Sequence, residues 1–258
     1  MRRELCLHLP FLQTERLTRT WEPARRKGAL LAVTVRRSNT LTLSAVSAAA
    51  FAAGVRAGMT LAEARAIVPT LESVDRDELQ ELGALREVAE LAHHFAPRVC
   101  QAPPTSLVVT VTGCERLHGG EDRLAAKLQQ ALAQRGFTAR IAIADNPAAA
   151  MALAVTAAVA ITISRPGHFL QDLRDVPVAG LGLEAPVVAQ LEVLGVRTAG
   201  QLLDLPAQAL PARFGELLSA RLRQLRGLED PVLKTWAPPP SVQERLEFSG
   251  PTDNREAL

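Results

Sequence analysis

Gly54-Val55-Arg56-Ala57-Gly58-Met59-Thr60-Leu61-Ala62-Glu63-Ala64-Arg65, followed a few residues on by Pro69, is the stretch that sets the frame for the rest of this chain. Before it, Ser44–Ala53 is rich in alanine and predicts a helix, which Gly54 closes. Gly58 then precedes Thr60, and Glu63 stands three residues further on. That spacing is the signature of a capping box, in which hydroxyl and carboxylate satisfy each other's backbone amides at a helix start. Pro69, which lacks an amide hydrogen, stops this second helix.

Working outward, Leu5–Leu9 is a short apolar strand with polar His8 inside it, and Gln13–Thr20 is a charged helical stretch. Leu30–Val35 is a continuous apolar run, as expected of a strand buried on both faces. On the other side, Asp77–Phe95 predicts a long amphipathic helix with Leu79, Leu82, Leu85, Val88, Ala89 and Leu91 on its apolar face. Ser106–Thr112 and Ala139–Ala144 are strand-like, and between them Gly119-Gly120 opens a helix over Glu121–Gln134 that ends at Gly136. Ala148–Ile163 is strongly apolar but shorter than a membrane span, so it predicts a buried helix running into a strand. This rhythm predicts an α/β fold, a sheet covered by helices. After Arg165-Pro166-Gly167 the chain turns to short helices punctuated by glycine and proline, which places a domain boundary there. Pro238-Pro239-Pro240 is extended, Glu244–Phe248 is strand-like, and the polar end looks like a linker cut before a further domain.

At 258 residues, 48% of them apolar, the chain is long enough for two domains and unlike a disordered sequence. Twenty-nine basic and 27 acidic groups leave a net charge of only +2, so bulk charge does not announce a nucleic-acid binder. The distribution is uneven, because residues 1–40 hold nine basic groups against three acidic ones. A phosphate footprint would lie there, around Arg16, Arg19, Arg25, Arg26, Lys27, Arg36 and Arg37; a solvated basic face is the alternative. Cys6, Cys100 and Cys114 lack metal-ligand spacing and are expected to be reduced thiols in a cytoplasmic protein. The Met1-Arg2-Arg3 start does not look like a signal peptide.

Three stretches, in order, resemble the core of the Y-family translesion DNA polymerases. Gly54–Arg65 with Pro69 resembles the fingers segment, Thr105–Thr112 with Gly113 the palm strand, and Val176–Gly195 the helix-hairpin-helix of the thumb. Their collinearity carries the resemblance from residue 5 to about residue 232. Within that family the chain is similar to the ImuB-type proteins of bacterial mutagenic repair, through Thr112-Gly113-Cys114, Leu117 and Gly119-Gly120-Glu121. The resemblance implies a palm from residues 1–10 and 75–165, fingers from 11–74, a helical thumb from 166–232, and a linker from 233–258 toward a missing little-finger-like domain.

The resemblance also says where polymerase chemistry should sit. Nucleotidyl transfer needs two magnesium ions, which take hard oxygen ligands, chiefly carboxylates. The family supplies them from a D-x-D and an S-x-D-E motif, and in this chain those positions fall on His8, Pro10, Thr105 and Ser106. The tyrosine and arginine that hold the triphosphate fall on Ala48 and Phe51, and the palm lysine on Met151. No catalytic residue, metal or cofactor is therefore expected.

The thumb keeps more of its physics. Val178-Ala179-Gly180-Leu181-Gly182 has the G-x-G turn with which a hairpin presents amides to a phosphate, and Leu194–Thr198 gives the exit of the next helix. Direct DNA contact is expected from Arg25, Arg26, Arg36, Arg37, Gly180, Gly182 and Arg197, to the backbone and without sequence preference. Against this, residues 166–235 carry seven basic and eight acidic groups, so a purely structural hairpin is the alternative. Arg221, Arg223 and Arg226 either touch phosphate or offset a helix dipole. The expected function is a non-catalytic scaffold in damage-induced, error-prone translesion synthesis. By resemblance its partners are a RecA-like accessory protein, the sliding clamp and an error-prone replicative-type polymerase, with no membrane. The rivals are an active polymerase with relocated ligands and an interaction module that never touches DNA.

Overall fold

The computed structural model describes residues 2–102, 104–206 and 210–237. The chain opens on β1 (Glu4–His8), passes through α1 (Leu12–Thr18) and the short α2 (Pro23–Lys27), and forms the hairpin of β2 (Leu31–Arg37) and β3 (Thr40–Val46). Two short helices follow, α3 (Ala48–Ala52) and α4 (Leu61–Ile67), then β4 (Glu72–Asp75) and the long α5 (Glu78–His93). β5 (Arg98–Ala102) and β6 (Ser106–Thr110) lead through α6 (Glu115–His118) and α7 (Glu121–Gln134) to β7 (Arg140–Ala144), α8 (Pro147–Thr156) and β8 (Ile161–Ile163). The remainder is helical. It runs through α9 (Phe169–Asp172), a 3-10 turn at Val178–Leu181, α10 (Ala185–Val193), α11 (Ala199–Leu203), α12 (Leu210–Phe214) and α13 (Glu216–Leu225), and ends with β9 (Lys234–Trp236).

The strands form two sheets. The larger has the order β8-β7-β1-β6-β5-β9, with β1 antiparallel to both β6 and β7; the smaller has the order β3-β2-β4. Alternation along the central strands decides what each face of the larger sheet buries. Leu5, Leu7, Leu107, Val109, Ile141 and Ile143 share one cluster with the apolar sides of α5 and α7. Cys6, Ala142 and Ala144 face the other way, under α8. Behind α8 lie Leu173, Val178, Leu181, Leu191, Leu202 and Leu222 of the helical part, in the same cluster. A helix covered on both sides cannot keep a polar stripe, and Ala148, Ala149, Ala150, Ala152 and Ala154 are all fully buried. Their small side chains let the sheet and the helical part approach it closely.

Several local expectations hold. The Thr60–Glu63 capping box is present, with Glu63 N donating to Thr60 Oγ1 at 3.2 Å and Thr60 N to Glu63 Oε2 at 2.8 Å. Helix α7 occupies the predicted Glu121–Gln134, and Ala148–Ile163 divides into all but the first residue of α8, a short connection, and β8. Other expectations are corrected. Ser44–Ala53 is not one helix: Thr40–Val46 pairs with β2 as a strand, and only Ala48–Ala52 is helical. Ser47 makes the break, its hydroxyl donating to Ala29 O at 2.5 Å and accepting from Ala50 N at 3.3 Å as the helix cap. Leu79 is 83% exposed rather than on the buried face of α5; Ala84 and Ala92 line that face instead. Pro238-Pro239-Pro240 and Glu244–Phe248 lie outside the described residues. No helix among the described residues is long and apolar enough to cross a membrane.

Candidate functional site

His8 and Ser106 are far apart in sequence, yet the pairing of β1 with β6 sets them directly opposite each other. His8 Nδ1 and Ser106 Oγ are 3.0 Å apart, and Leu9 N donates to Thr105 O at 2.9 Å, which carries the pairing into the next residue. Pro10 follows at the turn into α1. The four expected positions, His8, Pro10, Thr105 and Ser106, are thus brought together at one end of the sheet. On its other side His8 is opposite Arg140 of β7, and beyond Ser106 lies Ala102 of β5. One row therefore crosses the sheet: guanidinium, imidazole, hydroxyl, methyl. It lies on the face that carries α8.

Burial, and secondarily the charge of Arg140, lower the His8 pKa from 6.5 to about 4. The imidazole is neutral at pH 7 and is too weak a base to activate the Ser106 hydroxyl. Among the described residues no carboxylate bonds its other ring nitrogen, so the pair has none of the orienting support of a nucleophilic dyad. Burial pushes the neighbouring Cys6 thiol up to about 12, which keeps it protonated and inert.

The acidic groups nearest in sequence are engaged elsewhere. Glu4, at the far end of β1, accepts from Thr110 Oγ1 at 3.1 and 3.2 Å and from Arg2 at 2.6 Å. Asp145 accepts from Arg3 and from Gly167 N, both at 2.6 Å. Arg3, 5% exposed, also holds both oxygens of Glu121 at 2.6 and 2.7 Å and Ser164 O at 2.6 Å. Among the described residues no group of three or more His, Cys, Asp or Glu could hold a metal ion. A neutral imidazole, two hydroxyls and a guanidinium do not fit a pair of magnesium ions, which require anionic oxygen.

The positions expected to grip a triphosphate carry no charge. Ala48 lines a cavity of about 260 Å³ with Thr14, Glu15 and Arg26. Phe51 lies edge-on to Phe11, with ring centroids 6.4 Å apart, and the Arg56 guanidinium stands 3.9 Å over its ring. Met151 packs against the cluster of Cys100, Ala102 and Val108.

The basic N-terminal residues do not form one patch. Arg36 and Arg37 are exposed at the end of β2, whereas Arg25 and Arg26 lie on α2, before the same strand begins. At about 3.3 Å per residue, β2 separates the two pairs by roughly 20 Å. Arg25 stacks on Trp21 at 4.1 Å, and Arg26 lines the cavity beside Ala48. Arg16 donates to Gln80 at 2.9 Å, and Arg19 pairs with Glu87. In the helical part a side chain on Gly180 would overlap the Thr156 methyl, so this glycine lets the 3-10 turn pack on the end of α8. Gly182 is left-handed at φ 69, beside Arg221, which donates to Leu181 O at 2.5 Å. Arg223 pairs with Glu216 and Glu229, and Arg226 donates to Leu203 O. Arg197 is exposed, and its side chain makes no hydrogen bond among the described residues. Sequence reasoning passed over Arg140. Its signal is a single charge opening Arg140-Ile141-Ala142-Ile143-Ala144, where period two puts it on the face opposite the isoleucines.

The profile of the impB/mucB/samB family matches residues 15–154, more than half of the chain. The chain belongs to that family. This impB/mucB/samB chain is 35% identical over 205 residues to Protein ImuB of Caulobacter vibrioides, covering 80% of the chain and 44% of that protein. It is 24% identical over 221 residues to DNA polymerase IV of Dehalococcoides mccartyi, covering 83% and 56%. The chain thus spans less than half the length of the ImuB proteins it matches. Among solved structures, DinB from Sulfolobus solfataricus superimposes with a TM-score of 0.72 at 17% identity, over 90% of this chain and 69% of that one. An insertion ternary complex of Dbh DNA polymerase gives 0.72 at 18%, over 89% and 69%. The impB/mucB/samB chain is an ImuB-type homologue of the Y-family polymerases, with their mixed α/β fold.

Proposed function

We propose that this protein is a non-catalytic, DNA-binding subunit in damage-induced, error-prone translesion synthesis. The row Arg140, His8 and Ser106 carries this reading: where a polymerase needs anionic oxygen for two magnesium ions, it presents a neutral imidazole, a hydroxyl and a cation. The uncharged Ala48, Phe51 and Met151 support the same conclusion for the triphosphate. The greater similarity to ImuB than to DNA polymerase IV agrees with it. On this reading residues 1–10 and 75–165 are the palm, 11–74 the fingers, 166–232 a helix-hairpin-helix thumb, and 233–258 the linker to a little-finger-like domain.

DNA contact is assigned to Arg25, Arg26, Arg36, Arg37, Gly180, Gly182 and Arg197, with most weight on Arg36, Arg37 and Arg197, which are exposed and, unlike the equally exposed Arg25, are not stacked on an aromatic ring. The protein partners would be a RecA-like accessory protein, the sliding clamp and an error-prone polymerase. A primer–template with all four deoxynucleotides and magnesium or manganese tests the reading. No primer extension is expected, while the same DNA binds with an affinity that falls as salt rises and falls further in Arg36→Glu/Arg37→Glu. A single templated nucleotide added by the purified chain would overturn it.

A further inference from the structure

We propose that the row formed by Arg140, His8 and Ser106 is a metal-independent phosphate-binding site, in which the Arg140 guanidinium supplies the positive charge that magnesium brings to an active polymerase. The inference rests on the DNA-binding reading above and deepens it.

The first support is where the chain leaves arginines unpaired. Arg3, on the same sheet, is buried and held by Glu121 and Asp145, and Arg76 is held by Glu78 and Glu81. Arg140 is half-buried and among the described residues pairs with no carboxylate and makes one side-chain hydrogen bond, from Nη1 to Val155 O at 3.2 Å. A guanidinium has five N–H donors, so most of its capacity is open at that end of the sheet. With no carboxylate partner among the described residues, the guanidinium can take an anionic ligand without giving one up.

The second support is the donor count of its neighbours. A neutral His8 has one N–H and Ser106 one O–H, and the two groups share one hydrogen bond at 3.0 Å. If the hydroxyl donates to Nδ1, the Nε2–H is left over; if Nδ1–H donates to the hydroxyl, the O–H is left over. In the second case Cys6 is within reach of that O–H, so it is the first arrangement that keeps a neutral donor, Nε2–H, beside the guanidinium, which is the equipment a phosphate oxygen needs and a divalent cation cannot use. The phosphate could belong to a DNA strand or to a nucleoside triphosphate.

The test uses the full chain in EDTA, with labelled primer–template in one arm and labelled ATP in the other. Wild type is expected to bind DNA equally well in EDTA and in magnesium at matched ionic strength. Arg140→Gln should weaken binding about tenfold, the scale of one lost charge-assisted hydrogen bond, and lower the salt slope by about one. Arg140→Lys should retain most of the affinity, and melting curves identify any variant that has lost its fold. If only ATP binding depends on Arg140, the site takes the triphosphate rather than the strand, and the inference stands in that form. A magnesium requirement in wild type overturns the inference, as does wild-type binding of both ligands by folded Arg140→Gln. If wild type binds DNA in neither buffer, the DNA-binding reading itself has failed.

Discussion

Acid should destabilise this protein through His8, and by an amount that can be worked out. The group ordinarily titrates at 6.5 and in the folded protein at about 4, because burial and then Arg140 disfavour the imidazolium. Between those values the unfolded chain holds the proton and the folded chain does not, so stability rises with pH across the window. The contribution is fully present above 6.5, falls as pH drops below 6.5, and is exhausted once pH passes 4. Between pH 7 and pH 5 the loss is about 2 kcal/mol. His8→Asn removes the titration while leaving an amide able to hydrogen-bond Ser106. Urea midpoints of both proteins at pH 7, 6 and 5 read the difference, and titrations elsewhere in the chain cancel between them. Wild type is expected to lose roughly 1 M more than the variant on going from pH 7 to 5, at about 2 kcal/mol per molar of urea. Parallel profiles would refute the reasoning, because they would mean that His8 is solvated in the fold.

Two further outcomes test the packing that places the row. Arg3→Met strands Glu121 and Asp145 without their cation and should cost about 3–5 kcal/mol in thermal or urea unfolding; a loss below about 1 kcal/mol would show that water already satisfies them. Gly180→Ala should cost about 1–3 kcal/mol through overlap with the Thr156 methyl. Thr156→Ser, which removes that methyl and keeps the hydroxyl that bonds Ala152 O at 2.8 Å, should restore most of the loss in the double variant. Simple additivity of the two changes would place the glycine's role elsewhere.

The features legible from the order of residues are those that a few neighbours decide. The capping box at Thr60 and Glu63, the bounds of α7 between Gly120 and Gly136, and the all-round apolarity of α8 rest on contacts within one or two turns of helix. The resemblance added one long-range expectation, that positions 8 and 106 meet, and the register of β1 with β6 brings them together. The strands β3 and β5 escaped detection although each pairs with its neighbour in sequence, because neither carries a strand-like apolar run of its own and β3 leads straight into an alanine-rich helix; β4, four residues long, owes its form to β2, a partner distant in sequence. The same reason hid the fates of the arginines. Nothing local distinguishes Arg3, clamped by two carboxylates from far along the chain, from Arg140, which has none among the described residues. Only strand register and helix packing decide which charges are neutralised inside the molecule and which remain available to a ligand, because an electrostatic partner is fixed by distance in space.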